Sequence, residues 1–492
     1  MQQADIDLLR GKVIPAQGHF INGKWCAPKE TLEITSPIDG KALTTIGRAV
    51  DEEVEDAVAS ARIAFDDGRW SRMAPAGRKK VLHRIADLIE QNALELAVLG
   101  VRDNGTEIGM AIKAESGSAA GTFRYYAEAI DKIYGEIAPT ADNVLGLIHR
   151  EPVGVVGAII PWNFPLMIGA WKVAPALAAG NSIVLKPAEV ASLSWLRLTE
   201  LCAEAGLPDG VLNVVTGKGS TTGEAIALHK DVDVLVFTGS GFVGRKLLEY
   251  SARSNLKRVY LELGGKSPNI IFEDTADIEQ AAKVAAGGIF RNSGQVCVAG
   301  SRILVQSSIK ERFLETFVKA AEALKVGDPL DLSNSIGAVT SSTQLAQNLA
   351  HVDAAKDEGG VLLTGGNRIN EASGGYYMTP TVFVDVKPDM KLATNEVFGP
   401  VAAVMDFDDE AEAVTIANGT DYGLAAGVWT ADLSRAHRMI RAVKSGVIHV
   451  NCYGGADGTV PLGGVKQSGN GVDKSLHAFD KYTDLKTAWI QL

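Results

Sequence analysis

Between residues 151 and 265 the chain alternates repeatedly between two periods, and this limits the possible folds more than any other feature. Short runs rich in Val, Ile and Leu occur at 154–160, 182–185, 211–215 and 234–237. Stretches with helical spacing, such as 192–205, separate them. Apolar runs this short and without a polar face read as strands buried on both sides. Parallel strands need a crossover, and the intervening helices supply it, so βαβ units and a parallel sheet are expected. A second alternation runs from 268 to about 450, with strands near 269–272, 303–306 and 401–406. Ahead of both, apolar residues recur every three and four positions from about 50 to 112, most clearly over 76–99, as in amphipathic helices. Two segments stand apart. Residues 134–150 end in the alternating Val144-Leu145-Gly146-Leu147-Ile148-His149, and 482–492 alternates as a half-exposed strand does. The chain has 492 residues, enough for two or three domains.

Several classes of function are excluded early. The net charge is −11 and there is no basic run, so neither nucleic acid nor an anionic membrane is an expected partner. Residues 154–171 carry no charge, but Pro161 and Pro165 would break a spanning helix. That stretch reads as a buried strand, a loop and a buried helix. The first ten residues carry acids and lack an apolar segment, so no secretory signal is expected. Cys26, Cys202, Cys297 and Cys452 are widely and irregularly spaced, which argues against a disulfide framework or a zinc site. The cytoplasm is the expected compartment, and no metal is expected.

The chemistry concentrates in a few motifs. Gly239-Ser240-Gly241-Phe242-Val243-Gly244 lies between the strand run 234–237 and a helix expected from Val243 onward. It fits G-x-G-x-x-G, a glycine turn that places phosphate at a helix N-terminus. In the ordinary dinucleotide-fold reading, the acid about 20 residues on holds a ribose, and that acid is Glu262. The alternative leaves Glu262, in Leu261-Glu262-Leu263-Gly264-Gly265-Lys266-Ser267-Pro268, free for catalysis. Its apolar neighbours suggest a buried carboxyl with a raised pKa, suited to a general base. Gly264-Gly265 would let backbone lie close to a flat ring. Cys297, in Gly294-Gln295-Val296-Cys297, is a candidate nucleophile whose pKa a helix N-terminus or nearby dipoles would lower. Asn163, in Pro161-Trp162-Asn163-Phe164-Pro165, is a rigidly held amide that could donate to an oxyanion.

Phe237-Thr238-Gly239-Ser240, the Glu262 motif, the Cys297 motif and Glu396-Val397-Phe398-Gly399-Pro400 follow one another in an order that resembles the aldehyde dehydrogenase superfamily over nearly the whole chain. The resemblance implies an α/β fold: a Rossmann-like cofactor domain (1–130 and 151–263), a catalytic α/β domain (264–450), a small β oligomerisation arm (131–150 and 479–492) and a return segment (451–478). It implies oxidation of an aldehyde to a carboxylate with NAD, and NADP less readily, in a homodimer or homotetramer. Cys297 would attack the aldehyde, with Asn163 and the Cys297 N–H as oxyanion donors. Glu262 would activate the water that hydrolyses the thioester, and Lys172 would assist proton relay. A glutamate at 262 favours hydrolysis over transfer to a CoA thiol. In this reading the G-x-G-x-x-G match is coincidental. Ser240 contacts the pyrophosphate, Lys186 and Glu189 the adenosine ribose, and Glu396 the nicotinamide ribose. Ile159, Pro161, Trp162, Gly219, Phe237, Gly239, Val243, Leu263 and Phe398 complete the cofactor set. Glu189 would repel a 2′-phosphate.

By the same resemblance Met167, Trp171, Phe290, Val296, Val298 and Tyr453 line the aldehyde tunnel. The stretches 124–132, 466–471 and 474–478 resemble the branch acting on ω-amino and guanidino aldehydes, such as 4-(γ-glutamylamino)butanal and 4-guanidinobutanal. Glu115 matches an aspartate common in that branch and is expected to meet a cationic tail. Thr106 stands where the family commonly has a lysine. Neutral aliphatic or aromatic aldehydes are the alternative substrates. A cysteine hydrolase would need a histidine partner for Cys297, and none lies near it in sequence. A non-catalytic homologue would be expected to lose Cys297, Glu262 or Asn163, and all three are present.

Overall fold

A computed structural model describes residues 1–455 and 457–492. Its first sheet has seven strands in the order Arg258–Glu262, Val234–Thr238, Val155–Ile159, Ser182–Lys186, Leu212–Val214, His19–Ile21 and Lys24–Cys26. The first five are parallel, and the antiparallel pair His19–Ile21 and Lys24–Cys26 extends one edge. Strands expected at 154–160, 182–185, 211–215 and 234–237 are all present. Their alternate residues enter different cores: Val156, Ala158, Val234 and Val236 pack on one face, and Val155, Ile159, Leu235 and Phe237 on the other. Both faces are covered, which explains the lack of polar alternation in the sequence.

The order of strand addition reverses at Val155–Ile159: the next two strands add on one side and the last two on the other. In open parallel sheets a ligand crevice forms at such a reversal, beyond the strands' carboxyl ends. Ile159, Lys186, Thr238 and Glu262 lie at those ends. The second sheet is also seven-stranded: Val361–Thr364, Thr381–Val384, Val401–Phe407, Arg302–Gln306, Pro268–Ile271, Ala425–Trp429 and Val447–Val450. Only Val361–Thr364 runs antiparallel.

The helical run expected over 76–99 is two helices, Pro75–Gln91 and Ala93–Asn104, broken at Asn92, whose amide bonds back to the Leu88 carbonyl. A π-helix follows at Ala111–Gly117. The uncharged stretch at 154–171 forms the strand Val155–Ile159, a loop and the helix Pro165–Ala179, with proline at the first helical position. No helix among the described residues is long and apolar enough to cross a membrane.

Glu136–Ala138, Val144–Pro152 and Thr483–Gln491 form a separate antiparallel sheet, with Thr483 opposite Pro152 and Gln491 opposite Val144. The C-terminal strand is more exposed than its alternation suggests. Leu485, Trp489 and Ile490 are all exposed, Trp489 at 67%.

Candidate active site

The helix Ile278–Phe290 ends in a loop with three consecutive left-handed residues, Asn292 (φ 50°), Ser293 (φ 52°) and Gly294 (φ 71°). A side chain on Gly294 would fall on the Gly399 carbonyl. Asn292 and Ser293 lack glycine's freedom, so their conformation must be imposed from outside. Thr106 Oγ1 donates to Asn292 Oδ1 (2.8 Å), the Asn292 N–H donates to Glu107 (3.1 Å), and Asn292 Nδ2 donates to the Asn163 carbonyl (3.2 Å). Ser293 Oγ donates to the Gly337 carbonyl (3.0 Å). Gln295 donates to the Asn292 carbonyl (3.1 Å) and accepts from Thr340 N–H (2.9 Å). Thr106, noted above only as a departure from the family pattern, is thus part of the scaffold under Cys297.

Cys297 lies half-buried at a cavity of about 490 Å³. Burial, then the charges of Glu396 and Glu262, push its thiol up to about 12. This corrects the expectation of a lowered pKa. No helix begins at Cys297, so no helix dipole is available to oppose burial. Asn163 is buried, and one N–H of its amide donates to the carbonyl of Gln295, two residues before Cys297 (2.9 Å). The amide's second hydrogen is not used by that bond.

Glu262 is 5% exposed, and neither carboxylate oxygen has a hydrogen-bond partner. Burial, then Asp473, raise its pKa well above the ordinary value, while Lys172 and Lys481 oppose the rise. Lys172 Nζ bonds Asp473 Oδ2 at 3.0 Å, and Lys481 bonds the other oxygen. Burial pushes Asp473 up, but the two lysines outweigh it and hold it below the usual carboxylate range. Asp473 and Lys481 were not anticipated. The available signal was Lys172 itself, since a lysine in an apolar helix needs a buried carboxylate.

The helix expected from Val243 begins at Gly241. Ser240 caps it, its Oγ accepting the Val243 N–H (3.3 Å). A methyl group at Gly241 would meet only the tip of Arg245, whereas one at Gly244 would lie 2.9 Å from Leu263. The middle glycine of the textual fingerprint is therefore not sterically required. Ile159, Phe237, Val243 and Leu263 share one apolar cluster. Gly219 opens a short π-helix, Gly219–Gly223, whose Gly223 lies against Ile159 and Lys186. Lys186 is buried, donates to the Pro187 carbonyl (3.0 Å) and reaches Glu189 at 3.5 Å. Glu189 lines a second cleft with Trp162 and Gln344. Trp162 packs edge-on against Phe398, ring centres 5.2 Å apart, and Pro161 precedes it in the same loop. Glu396 accepts the Gly265 N–H (2.8 Å), and burial pushes it up to about 7. Gly264-Gly265 makes room here for Glu396 and for the Cys297 carbonyl, which a Gly265 methyl would approach to 2.6 Å.

Met167, Trp171, Val296 and Val298 line the cavity with Cys297. Three other expected lining residues do not. Phe290 is fully buried against Phe317. Tyr453 lies behind the wall, its hydroxyl donating to the Val298 carbonyl (2.8 Å). Glu115 points away from the cavity to the start of Pro165–Ala179, where it accepts the Met167 N–H (2.8 Å). Burial pushes it up to about 8. The lining instead includes Tyr125, Arg291, Asp457 and Lys474, which were not anticipated.

Residues 25–488 match the aldehyde dehydrogenase family. The chain is 48% identical over 475 residues to the NADP/NAD-dependent aldehyde dehydrogenase PuuC of Escherichia coli (strain K12), covering 96% of this chain and 95% of that protein. Among solved structures it is similar to a variant of the P. syringae indole-3-acetaldehyde dehydrogenase AldA in complex with NAD+ and IAA (TM-score 0.99, 48% identity, all of both chains). It is equally similar to a γ-glutamyl-γ-aminobutyraldehyde dehydrogenase of Burkholderia cenocepacia J2315 (TM-score 0.98, 48% identity, all of both chains). The fold and branch resemblance read from the sequence agree with these relatives.

Proposed function

Because the chain belongs to the aldehyde dehydrogenase family, we propose that it oxidises an aldehyde to the free carboxylic acid with NAD, through a thioester on Cys297. The observation that carries this reading is Glu262: a buried carboxylate with no hydrogen-bond partner, whose charge is felt by the Cys297 thiol.

The Cys297 sulfur adds to the aldehyde carbon as its proton passes through the Glu262 carboxylate to solvent, and the oxyanion takes the free N–H of Asn163 and the Cys297 backbone N–H. NAD, when bound, supplies the hydride acceptor. Loss of hydride leaves the acyl group on Cys297. Glu262 takes a proton from water, and the resulting hydroxide attacks the acyl carbon and releases the acid and the thiol. Its raised pKa, caused first by burial, makes it a stronger base than an ordinary carboxylate. In this scheme Lys172, ion-paired with Asp473, carries the relay by releasing a proton to solvent as it receives one from Glu262.

The cofactor reading rests on the crevice at the strand reversal. Ser240 opens a helix whose N–H groups suit a pyrophosphate, and the partly exposed Glu189 carboxylate suits two ribose hydroxyls. That carboxylate favours NAD over NADP. Glu396 takes the nicotinamide ribose. Residues 1–130 with 151–263 form the cofactor domain, 264–450 the catalytic domain, and 451–478 returns to the former. The arm strand Thr483–Gln491, with its exposed apolar residues, supports a homodimer or homotetramer. The four free cysteines suit a reducing cytoplasm. The substrate falls within the range of the amino- and guanidino-aldehyde branch, with neutral aldehydes as the alternative. Glu115 contributes no charge to the tunnel.

Cys297→Ala tests the scheme. NADH formation from butanal should vanish while NAD binding, read by quenching of tryptophan fluorescence, persists. Retained turnover would sink the thioester route.

A further inference from the structure

Asp473 is a buried carboxylate shared between two buried lysines. Lys172 Nζ bonds its Oδ2 at 3.0 Å, and Lys481 Nζ bonds its Oδ1. The relay asks Lys172 to give up a proton. Were Lys172 the only cation here, each release would strand Asp473 as an unpaired buried charge, which is costly. Neither neighbouring phenol can take its place. The Tyr126 hydroxyl donates to the Ser475 carbonyl (3.0 Å), and the Tyr482 hydroxyl has no hydrogen-bond partner. Burial, then the Asp473 charge, pushes both phenols up. Glu262 is the remaining charge that faces the lysines, and it is the group the relay serves. Asp473 and Lys481 are both fixed. The Asp473 N–H donates to the Leu462 carbonyl (2.7 Å), and the Asp473 carbonyl accepts the Leu462 N–H (2.8 Å). Lys481 ends the turn Leu476–Lys481, whose Ala478 and Phe479 pack into the core of the first sheet, and its ammonium lies 5.4 Å from the centre of the Tyr482 ring. Lys172 sits instead on the helix Pro165–Ala179, next to Trp171 in the wall of the Cys297 cavity. Burial pulls Lys481 below the ordinary lysine range, and Asp473 and Glu262 oppose that pull.

We propose that Lys481 is a positioning residue that stays paired with Asp473 through the whole cycle and so leaves Lys172 free to lose and regain a proton. The inference rests on the hydrolytic reading of Glu262 and names the residue that makes its relay repeatable. Protons balance at each turn: Lys172 passes one to solvent and takes one from Glu262, while the Asp473–Lys481 pair keeps its own. Two lysines on one carboxylate then divide the work, one as fixed counter-ion and one as carrier.

The test follows NADH formation from butanal by the full-length enzyme. Lys481→Met should keep a full NADH burst and then lower plateau kcat about tenfold or more, because Lys172 becomes the only cation on Asp473 and holds its proton. Loss of a positive charge also strengthens proton binding by Glu262, so the acid limb of the kcat–pH profile should move to higher pH. Lys481→Arg should restore both. Since Lys481 acts on kcat through Asp473, its removal should cost nothing further once Asp473 is gone: Asp473→Asn/Lys481→Met should match the plateau kcat of Asp473→Asn. That comparison holds even if Lys481→Met alone fails to fold. A merely structural Lys481 predicts the reverse, with burst and steady rate falling together and the double variant about tenfold below Asp473→Asn, and this would overturn the proposal. So would wild-type kcat and an unmoved limb in Lys481→Met, while Glu262→Gln still stalls after its burst and the hydrolytic reading stands. Unchanged steady turnover in Glu262→Gln would remove both.

Discussion

Asn292, Ser293 and Gln295 all use their side chains to fix the loop before Cys297, whereas the side chain of Glu262 makes no hydrogen bond at all. The nucleophile side is built from hydrogen bonds that hold an unfavourable backbone in place. The base side is built from burial and charge: burial raises the carboxyl's proton affinity, and Lys172, Asp473 and Lys481 adjust it without touching it. The difference follows from the chemistry. A nucleophile must meet its electrophile at one geometry, so its backbone is pinned. A base that activates water must keep its oxygens available, so its environment is tuned at a distance.

Breaking the electrostatic side should have the largest effect. Glu262→Gln should give one burst of NADH and then slow steady turnover about 10²–10⁴-fold, and unchanged steady turnover would remove Glu262 as the base. Asp473→Asn should act in two ways. It leaves Lys172 and Lys481 without their counter-ion, at a cost of about 3–5 kcal/mol in urea unfolding. It also removes a negative charge that raises the Glu262 pKa, so the acid limb of the kcat–pH profile should move to lower pH. A limb that stays in place means Asp473 does not tune the base. On the nucleophile side, Thr106→Val deprives Asn292 Oδ1 of its donor. It should cost about 1–3 kcal/mol of stability and slow the burst, leaving the pH limb where it is. A shifted limb would erase the distinction between the two sides.

The smallest effect is expected at Glu115, a buried glutamate with a helix-capping role. Its carboxyl lies near 8 in the folded protein against about 4.5 unfolded. The folded state therefore keeps a proton that the unfolded chain releases, and this group's contribution to stability falls as pH rises from about 4.5 to 8. Glu115→Gln should flatten that slope in unfolding measured at pH 5.5 and 8, and leave the 4-guanidinobutanal/butanal ratio unchanged. A changed ratio would return Glu115 to the tunnel.

Four strands of the first sheet and three of the second were legible because a buried strand needs an unbroken apolar run, as Val234–Thr238 shows, whereas an edge strand such as Lys24–Cys26 lacks one. Their order was not, because the switch in the side of addition at Val155–Ile159 depends on packing between distant segments. Glu262 and Cys297 stood out through their local motifs. Asp473 did not, since the lysine that gives it meaning lies 301 residues away. Glu115 was assigned to the tunnel by its match to an aspartate of the amino- and guanidino-aldehyde branch, and the match carried no sign that the carboxylate accepts the Met167 N–H at the start of Pro165–Ala179. Phe290 and Tyr453 were misassigned for a simpler reason: an apolar side chain beside a tunnel carries no mark of which side of the wall it occupies.

The segment from Ser468 to Lys481 ties the base to a distant part of the chain. Its Ser468 carbonyl accepts the Leu263 N–H (2.9 Å), Asn470 accepts the Leu261 N–H (2.8 Å), and Asp473 and Lys481 complete the surroundings of Glu262. Glu262 itself sits on a strand of the first sheet, more than 200 residues earlier in the chain. Its surroundings are therefore complete only once residues 468–481 have docked beside that strand, so the strength of the base reports the folding of a distant segment.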